Sequence, residues 1–230
     1  MFDALFTTTT EYKKLSHALS GKGACALFGL PASGRAQVYA ALCRQLDKPL
    51  CIVTPGEAEA TRFAADLNTL GIPAAVFPAR DYVLRPIEGT AREYEYRRLA
   101  VLGELVGGRL RAVAVPAEAL TQFTTPKEDF CANTRTLHAG DTLLRDDLLA
   151  ALFGAGYTRR AQVDGPGQFS VRGDIVDIFA PDQKMPVRME FWGDEIDTLH
   201  TFDLTTQRRE DAIDKFYLSP AREVLFGKPA

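Results

Sequence analysis

Between residues 50 and 115, short unbroken apolar runs alternate with segments of helical period. The runs are Leu50 to Val53, Ala74 to Phe77 and Ala112 to Val115, and Ala24 to Phe28 is an earlier one. A strand that is apolar on both sides must be covered on both faces. Strands of that kind separated by helices predict a parallel sheet joined by helical crossovers. Helices are predicted over Ala36 to Leu46 and Glu93 to Val106. The second has Leu99, Leu102 and Val106 on one face and Gly107-Gly108 as its stop. Another begins at Thr54-Pro55-Gly56-Glu57, which has capping-box spacing with Pro inside the first turn, and runs to about Leu70.

The segment Gly29-Leu30-Pro31-Ala32-Ser33-Gly34-Arg35-Ala36 keeps the frame G-x-x-x-x-G between a predicted strand and a helix. A working phosphate loop continues with Lys, which reaches the phosphates, and then Ser or Thr, whose hydroxyl holds Mg²⁺. Here Arg35 and Ala36 stand in those places. The first part of a RecA-like or helicase-like α/β layer is therefore expected, without its hydrolytic parts. Gly29, Ser33, Gly34, Arg35 and Ala36 read as a structural relic. Weak anion binding at the helix N-terminus is the alternative. Hydrolysis is further disfavoured because no apolar strand ends in an Asp-Glu pair.

After Thr124-Thr125-Pro126 the period changes. One helix, Arg145 to Ala155, is followed by strand candidates at Gln168 to Arg172, Ile175 to Phe179, Val187 to Phe191 and Ile196 to Phe202. Gly173-Asp174 and Gly193-Asp194 between alternating runs are hairpin signals. The fold expected is a partial parallel-sheet α/β domain over residues 1–123, then a small α+β antiparallel domain over 124–219. Residues 220–230 start a continuation or tail. The second domain is expected to fold alone, since Phe169, Val171, Ile178 and Phe191 would form its core.

Composition narrows the function. A net charge of −3 and a pI near 5.7 speak against a free-standing nucleic-acid binder. Cys25, Cys43, Cys51 and Cys131 form no C-x-x-C pair, and His17, His138 and His200 have no metal-ligand spacing. No metal site and no catalytic residue are expected. Glu93 to Arg98 reads as a solvated helix face rather than an aromatic-basic patch. Asp194, Glu195 and Asp197 could be paired acid/base carboxylates on paper, but flanking a hairpin turn they read as solvated. No apolar run is long enough to span a membrane and no leader is evident, so a cytoplasmic location is expected.

The run Gly156-Tyr157-Thr158-Arg159, then Gly167 to Phe179, resembles a stretch shared by the excision-repair helicase UvrB and the transcription-repair coupling factor family. The likeness continues through Pro186 to Ile196 and Phe202 to Arg208. UvrB-type chains carry an intact G-x-x-x-x-G-K-T loop. The degenerate loop, Phe77-Pro78-Ala79-Arg80-Asp81, Arg97 to Leu102, Val115 to Gln122 and Leu218 to Val224 resemble the coupling factors instead. The resemblance implies the N-terminal UvrB-like module of that family, comprising a domain 1a and a domain 2.

It also implies a non-catalytic adaptor that recruits UvrA to stalled RNA polymerase. Polymerase and DNA would be engaged by regions further along a longer chain, and ATP and Mg²⁺ would serve only a downstream motor. Three arginines that contact UvrA in UvrB fall on Arg159, Ser170 and Arg172. In an extended strand Gln168, Ser170 and Arg172 share a face, so this polar row is expected to be open to the partner, with Phe169 and Val171 turned inward. The bland reading is ordinary solvated surface. Arg172-Gly173-Asp174 also spells an adhesion tripeptide, but a hairpin turn accounts for it. The rival functions are a UvrB-type ATPase and a DNA-binding module.

Overall fold

The computed structural model describes residues 7–21, 24–46, 48–80 and 90–223. The chain divides into two compact units, residues 1–79 with 107–121, and residues 80–106 with 122–230.

In the first unit, β1 (Leu50–Thr54), β2 (Ala74–Val76) and β3 (Ala112–Pro116) form a parallel sheet in the order β1-β3-β2. The helices are α1 (Thr10–Ser20), α2 (Ala32–Gln45) and α3 (Glu57–Thr69), with a helical turn at Ala117–Leu120. Thr9 caps α1 by accepting from Tyr12 N at 3.3 Å. The core is Ala36, Ala40 and Cys43 from α2, Ala60, Phe63, Ala64 and Leu67 from α3, and Ile52, Ala112 and Ala114 from the strands. The small alanines let α2 and α3 approach closely. Arg111 donates to Cys43 O at 2.6 Å and Leu46 O at 2.5 Å, satisfying carbonyls that the end of α2 leaves open.

Two expectations fail here. Ala24 to Phe28 is irregular backbone, so the described sheet has three strands rather than four. Phe28 is 88% exposed, and Leu27 lines a cleft of about 210 Å³ with Tyr12, Leu15, Leu30 and Val38. An apolar run predicts a buried strand, but residues 24–28 are all exposed here, so the pattern does not translate into burial. The capping box also does not form. Thr54 Oγ1 donates to Gly56 O at 2.9 Å, and α3 starts after Gly56 without a side-chain cap.

The second unit contains α4 (Thr90–Val106), α5 (Lys127–Ala132) and α6 (Arg145–Gly154). Its strands are β4 (Arg135–His138), β5 (Thr158–Arg159), β6 (Gln168–Arg172), β7 (Ile175–Phe179), β8 (Val187–Trp192), β9 (Glu195–Phe202), β10 (Arg209–Ala212) and β11 (Lys215–Leu218). Six of them form one sheet in the order β10-β9-β8-β7-β6-β5, in which only β5 and β6 run parallel, and β11 pairs with β4. The small antiparallel domain predicted from the turn signals is present, with β6 and β7 at the predicted limits.

One face of the six-stranded sheet packs Phe169, Val176, Ile178, Val187, Met189, Phe191, Ile196 and Leu199 against Leu148 and Leu152 of α6. On β9 the two core residues are three apart, which a regular strand forbids. A bulge resolves this: Glu190 pairs with Thr198 while Phe191 pairs with Ile196, so Asp197 is extra and the alternation changes phase. A smaller cluster of Val163, Phe179 and Phe202, with Leu204 against it, covers part of the opposite face. Arg98 and Glu223 are completely buried within this unit, far apart in sequence.

Candidate protein-docking site

The predicted phosphate-loop residues lie at the start of α2. α2 begins inside the frame, so Ser33, Gly34 and Arg35 lie in its first turn, after Gly29 at φ 82°. The amides of Gly34 and Arg35 donate to Pro31 O at 2.9 and 3.2 Å, which occupies N–H groups that a phosphate would need. Arg35 points to Glu59 of α3, with Nη1 3.7 Å from Oε1. Ala36 is 3% exposed and belongs to the core. A hydroxyl or a metal at that position would have to displace the packing of α2 on α3.

The polar row of β6 differs from its expected form. Gln168 is half-buried, and its Oε1 accepts from Asp164 N at 3.0 Å, which ties down the segment before β6. Ser170 is 1% exposed, so the expectation that it faces a partner is wrong. Alternation puts Gln168, Ser170 and Arg172 on one face as expected. What alternation does not reveal is that this face is itself partly covered, by the Val163, Phe179 and Phe202 cluster. The Arg172 end of the row is the most open, that side chain being 47% exposed.

The cover makes room for a buried ionic group. Pairing aligns Ser170 with Asp177, Asp177 with Arg188, and Arg188 with His200, so all four lie on the same face. Asp177 is fully buried. Arg188 grips it with both arms of its fork, Nε to Oδ1 at 2.7 Å and Nη2 to Oδ2 at 3.0 Å, and its guanidinium lies 4.7 Å from the Phe202 ring centroid. Arg172 Nη2 donates to Asp177 Oδ2 at 2.7 Å. One carboxylate therefore faces two guanidinium groups. Arg188 neutralises it, and the remaining positive charge sits on Arg172 at the surface. This is a preorganised cation suited to a carboxylate of a partner.

Arg159 does not join that row. It lies exposed at the end of β5 opposite Phe169, on the α6 side of the sheet edge, whereas Arg172 is on the other side. The residues of this ionic group that sequence reasoning missed are Asp177 and Arg188. A trace of both was present. Asp177 interrupts the apolar run Ile175 to Phe179 and Arg188 interrupts Val187 to Met189, and opposite charges in two adjacent strands are a cue to cross-strand pairing. Among the described residues, no group of three or more His, Cys, Asp or Glu could hold a metal ion, and no helix is long and apolar enough to cross a membrane.

The UvrB interaction domain family matches residues 136–224, which cover the six-stranded sheet and Arg172. This part of the second unit is a UvrB interaction domain. Over most of its length the chain is related to transcription-repair-coupling factors. It is 38% identical to that of Mycobacterium tuberculosis over 192 residues, 80% of this chain and 15% of the relative. With that of Myxococcus xanthus it shares 35% over 208 residues, 86% of this chain and 17% of the relative. UvrABC system protein B of Chlorobium limicola is 28% identical over 217 residues, 88% of this chain and 32% of that protein. The chain is thus a UvrB-like module of the transcription-repair-coupling factor kind, and it spans less than a fifth of the length of those factors.

Proposed function

We propose that this chain is a non-catalytic adaptor module that binds UvrA, and that within a longer coupling factor it brings UvrA to a stalled RNA polymerase. The observation that carries the reading is the UvrB interaction domain match over the sheet that presents Arg172, preoriented by its bond to Asp177, on one face. RNA polymerase, DNA, ATP and Mg²⁺ belong, in this reading, to other parts of the longer protein. The burial of Ala36 and the engaged amides of Gly34 and Arg35 support an absence of nucleotide hydrolysis in this module.

The test is capture of purified UvrA by the 230-residue chain, with ATP turnover measured on the same preparation. Arg172→Gln should weaken capture, and turnover should equal that of a blank. Turnover above the blank would favour the UvrB-type ATPase. A salt-sensitive shift of duplex DNA without UvrA capture would favour the DNA-binding module.

A further inference from the structure

Trp192 is the one tryptophan in the sequence, and 82% of it is exposed. It ends β8 at the hairpin into β9, where Gly193 adopts φ 62°. Exposure of this order on a mobile loop would mean little, but the hairpin tip is held firmly. Leu143 N donates to Asp194 O at 2.7 Å, Ile196 N to Asp141 O at 2.9 Å, and Phe191 N to Asp174 O at 2.9 Å. Arg145 ties down the neighbouring turn through Gly173 O at 2.9 Å and Asp174 Oδ1 at 3.2 Å. A large aromatic ring is thus presented on a fixed mount, so little conformational freedom is lost when it is buried against a partner.

Its position relates it to Arg172. Arg172, Ile175 and Glu190 are register partners across β6, β7 and β8, and Trp192 is the next residue of β8 on the same side. Ideal sheet spacings put the Arg172 and Trp192 Cα atoms about 12 Å apart, well within one interface. The surroundings of the two residues differ in charge. Arg172 carries the surplus cation of its cluster. Around Trp192, Asp194, Glu195 and Asp197 are exposed and in no ion pair among the described residues. That acidic rim disfavours nucleic acid and anionic lipid as its ligand. It matches a protein surface on which an apolar recess is bordered by Lys or Arg.

We infer that Trp192 and its acidic rim form a second contact for the same protein partner that Arg172 engages, the ring entering an apolar recess rimmed by cations. This rests on the reading of that partner as UvrA. A positive contact and a negative one on a single sheet face admit the partner in one orientation only, since reversal would set like charges together.

The single tryptophan makes the test direct. The chain is labelled with 5-fluorotryptophan, and its fluorine resonance is followed as unlabelled UvrA is added, beside affinity measurements on Trp192→Ala, the Asp194→Asn/Glu195→Gln/Asp197→Asn triple variant and Arg172→Gln. The expected results are a shifted or broadened resonance and at least about a tenfold loss of affinity for Trp192→Ala. Slower association with weaker salt dependence is expected for the triple variant. If UvrA binds in an Arg172-dependent way while the resonance stays unchanged and Trp192→Ala binds like the parent, the tip lies outside the interface and the inference is overturned alone. If the parent chain does not bind UvrA, the functional reading is overturned and this inference with it.

Discussion

Arg98 and Glu223 lie 125 positions apart and form a completely buried ion pair inside the second unit. Arg98 Nε donates to Glu223 Oε2 and Nη2 to Oε1, both at 2.8 Å. Further polar contacts surround the pair. Arg98 also donates to Phe123 O at 3.1 Å and Thr124 Oγ1 at 2.9 Å, and Glu223 N donates to Glu95 Oε1 at 2.8 Å. Arg80 Nη2 lies 2.7 Å from Glu223 Oε2, and Thr125 Oγ1 donates to Glu223 O. The pair holds α4, the segment around residues 122–125 and the stretch after β11 together.

Glu223→Gln leaves the fully buried Arg98 guanidinium without its counter-charge and should cost about 3–5 kcal/mol in urea unfolding. Arg98→Met should cost less, because Arg80 Nη2 remains 2.7 Å from Glu223 Oε2. Replacing both together, Arg98→Met with Glu223→Leu, should recover most of that loss. A chain limited to residues 124–219 contains the main apolar core but lacks both residues and all of α4. It should melt well below a chain that includes residues 80–106 and runs through Glu223. Equal melting temperatures for the two would show that the ionic cluster adds nothing to the unit.

Arg172 should be tested with Gln rather than Glu. Gln removes the cation and keeps a donor for Asp177, so a loss of partner binding of about 2 kcal/mol or more is expected with little change in melting temperature. Glu would set a second carboxylate beside buried Asp177 and mix lost binding with lost stability. Comparing the thermal unfolding of the two variants separates these effects.

Ser170→Arg should not restore a partner contact. The site is 1% exposed, and its register neighbour Asp177 is already occupied by Arg188. A larger, charged side chain there has neither space nor a free carboxylate. A destabilisation of about 3 kcal/mol or more is expected by thermal or urea unfolding. An unchanged melting temperature would mean that the covered part of the sheet face opens readily.

Tyr157 gives the fold an alkaline limit. Burial first, then the nearby Asp182 charge, hold its hydroxyl well above the ordinary 10.0, while the hydrogen bond to Ser219 O, 2.7 Å long, is the donor arrangement that the neutral form needs. The folded-state pKa is raised, so this contribution is complete below pH 10. Above pH 10 the unfolded chain releases the proton and the folded one does not, so the contribution fades as pH rises. Tyr157→Phe should cost about 1 kcal/mol at neutral pH, from the lost hydrogen bond. It should also lose less stability than the parent between pH 10 and 11. Parallel stability curves for the two proteins across that range would count against this assignment.

Local pattern was sufficient for much of the architecture. Period-two alternation bounded by Gly173-Asp174 located β6 and β7 at their observed limits, because a half-buried strand must alternate and a tight turn needs residues that tolerate positive φ. The short apolar runs predicted a parallel sheet, and three of the four are strands. The loss of Lys and hydroxyl at Arg35 and Ala36 was a matter of residue chemistry and needed no structure. The motif resemblance led to the same family as the comparisons. Tertiary structure decided what alternation cannot express. A side chain's direction is local, but its exposure depends on what distant segments lay over it. Ser170 points away from the main core and is buried all the same, because the cluster of Val163, Phe179 and Phe202 closes over that part of the sheet. Arg98 belongs to the Glu93 to Arg98 helix face that reads as solvated, but it is completely buried because Glu223, 125 positions away, packs against it. Ala24 to Phe28 carries the apolar signature of a strand, but among the described residues no strand pairs with it.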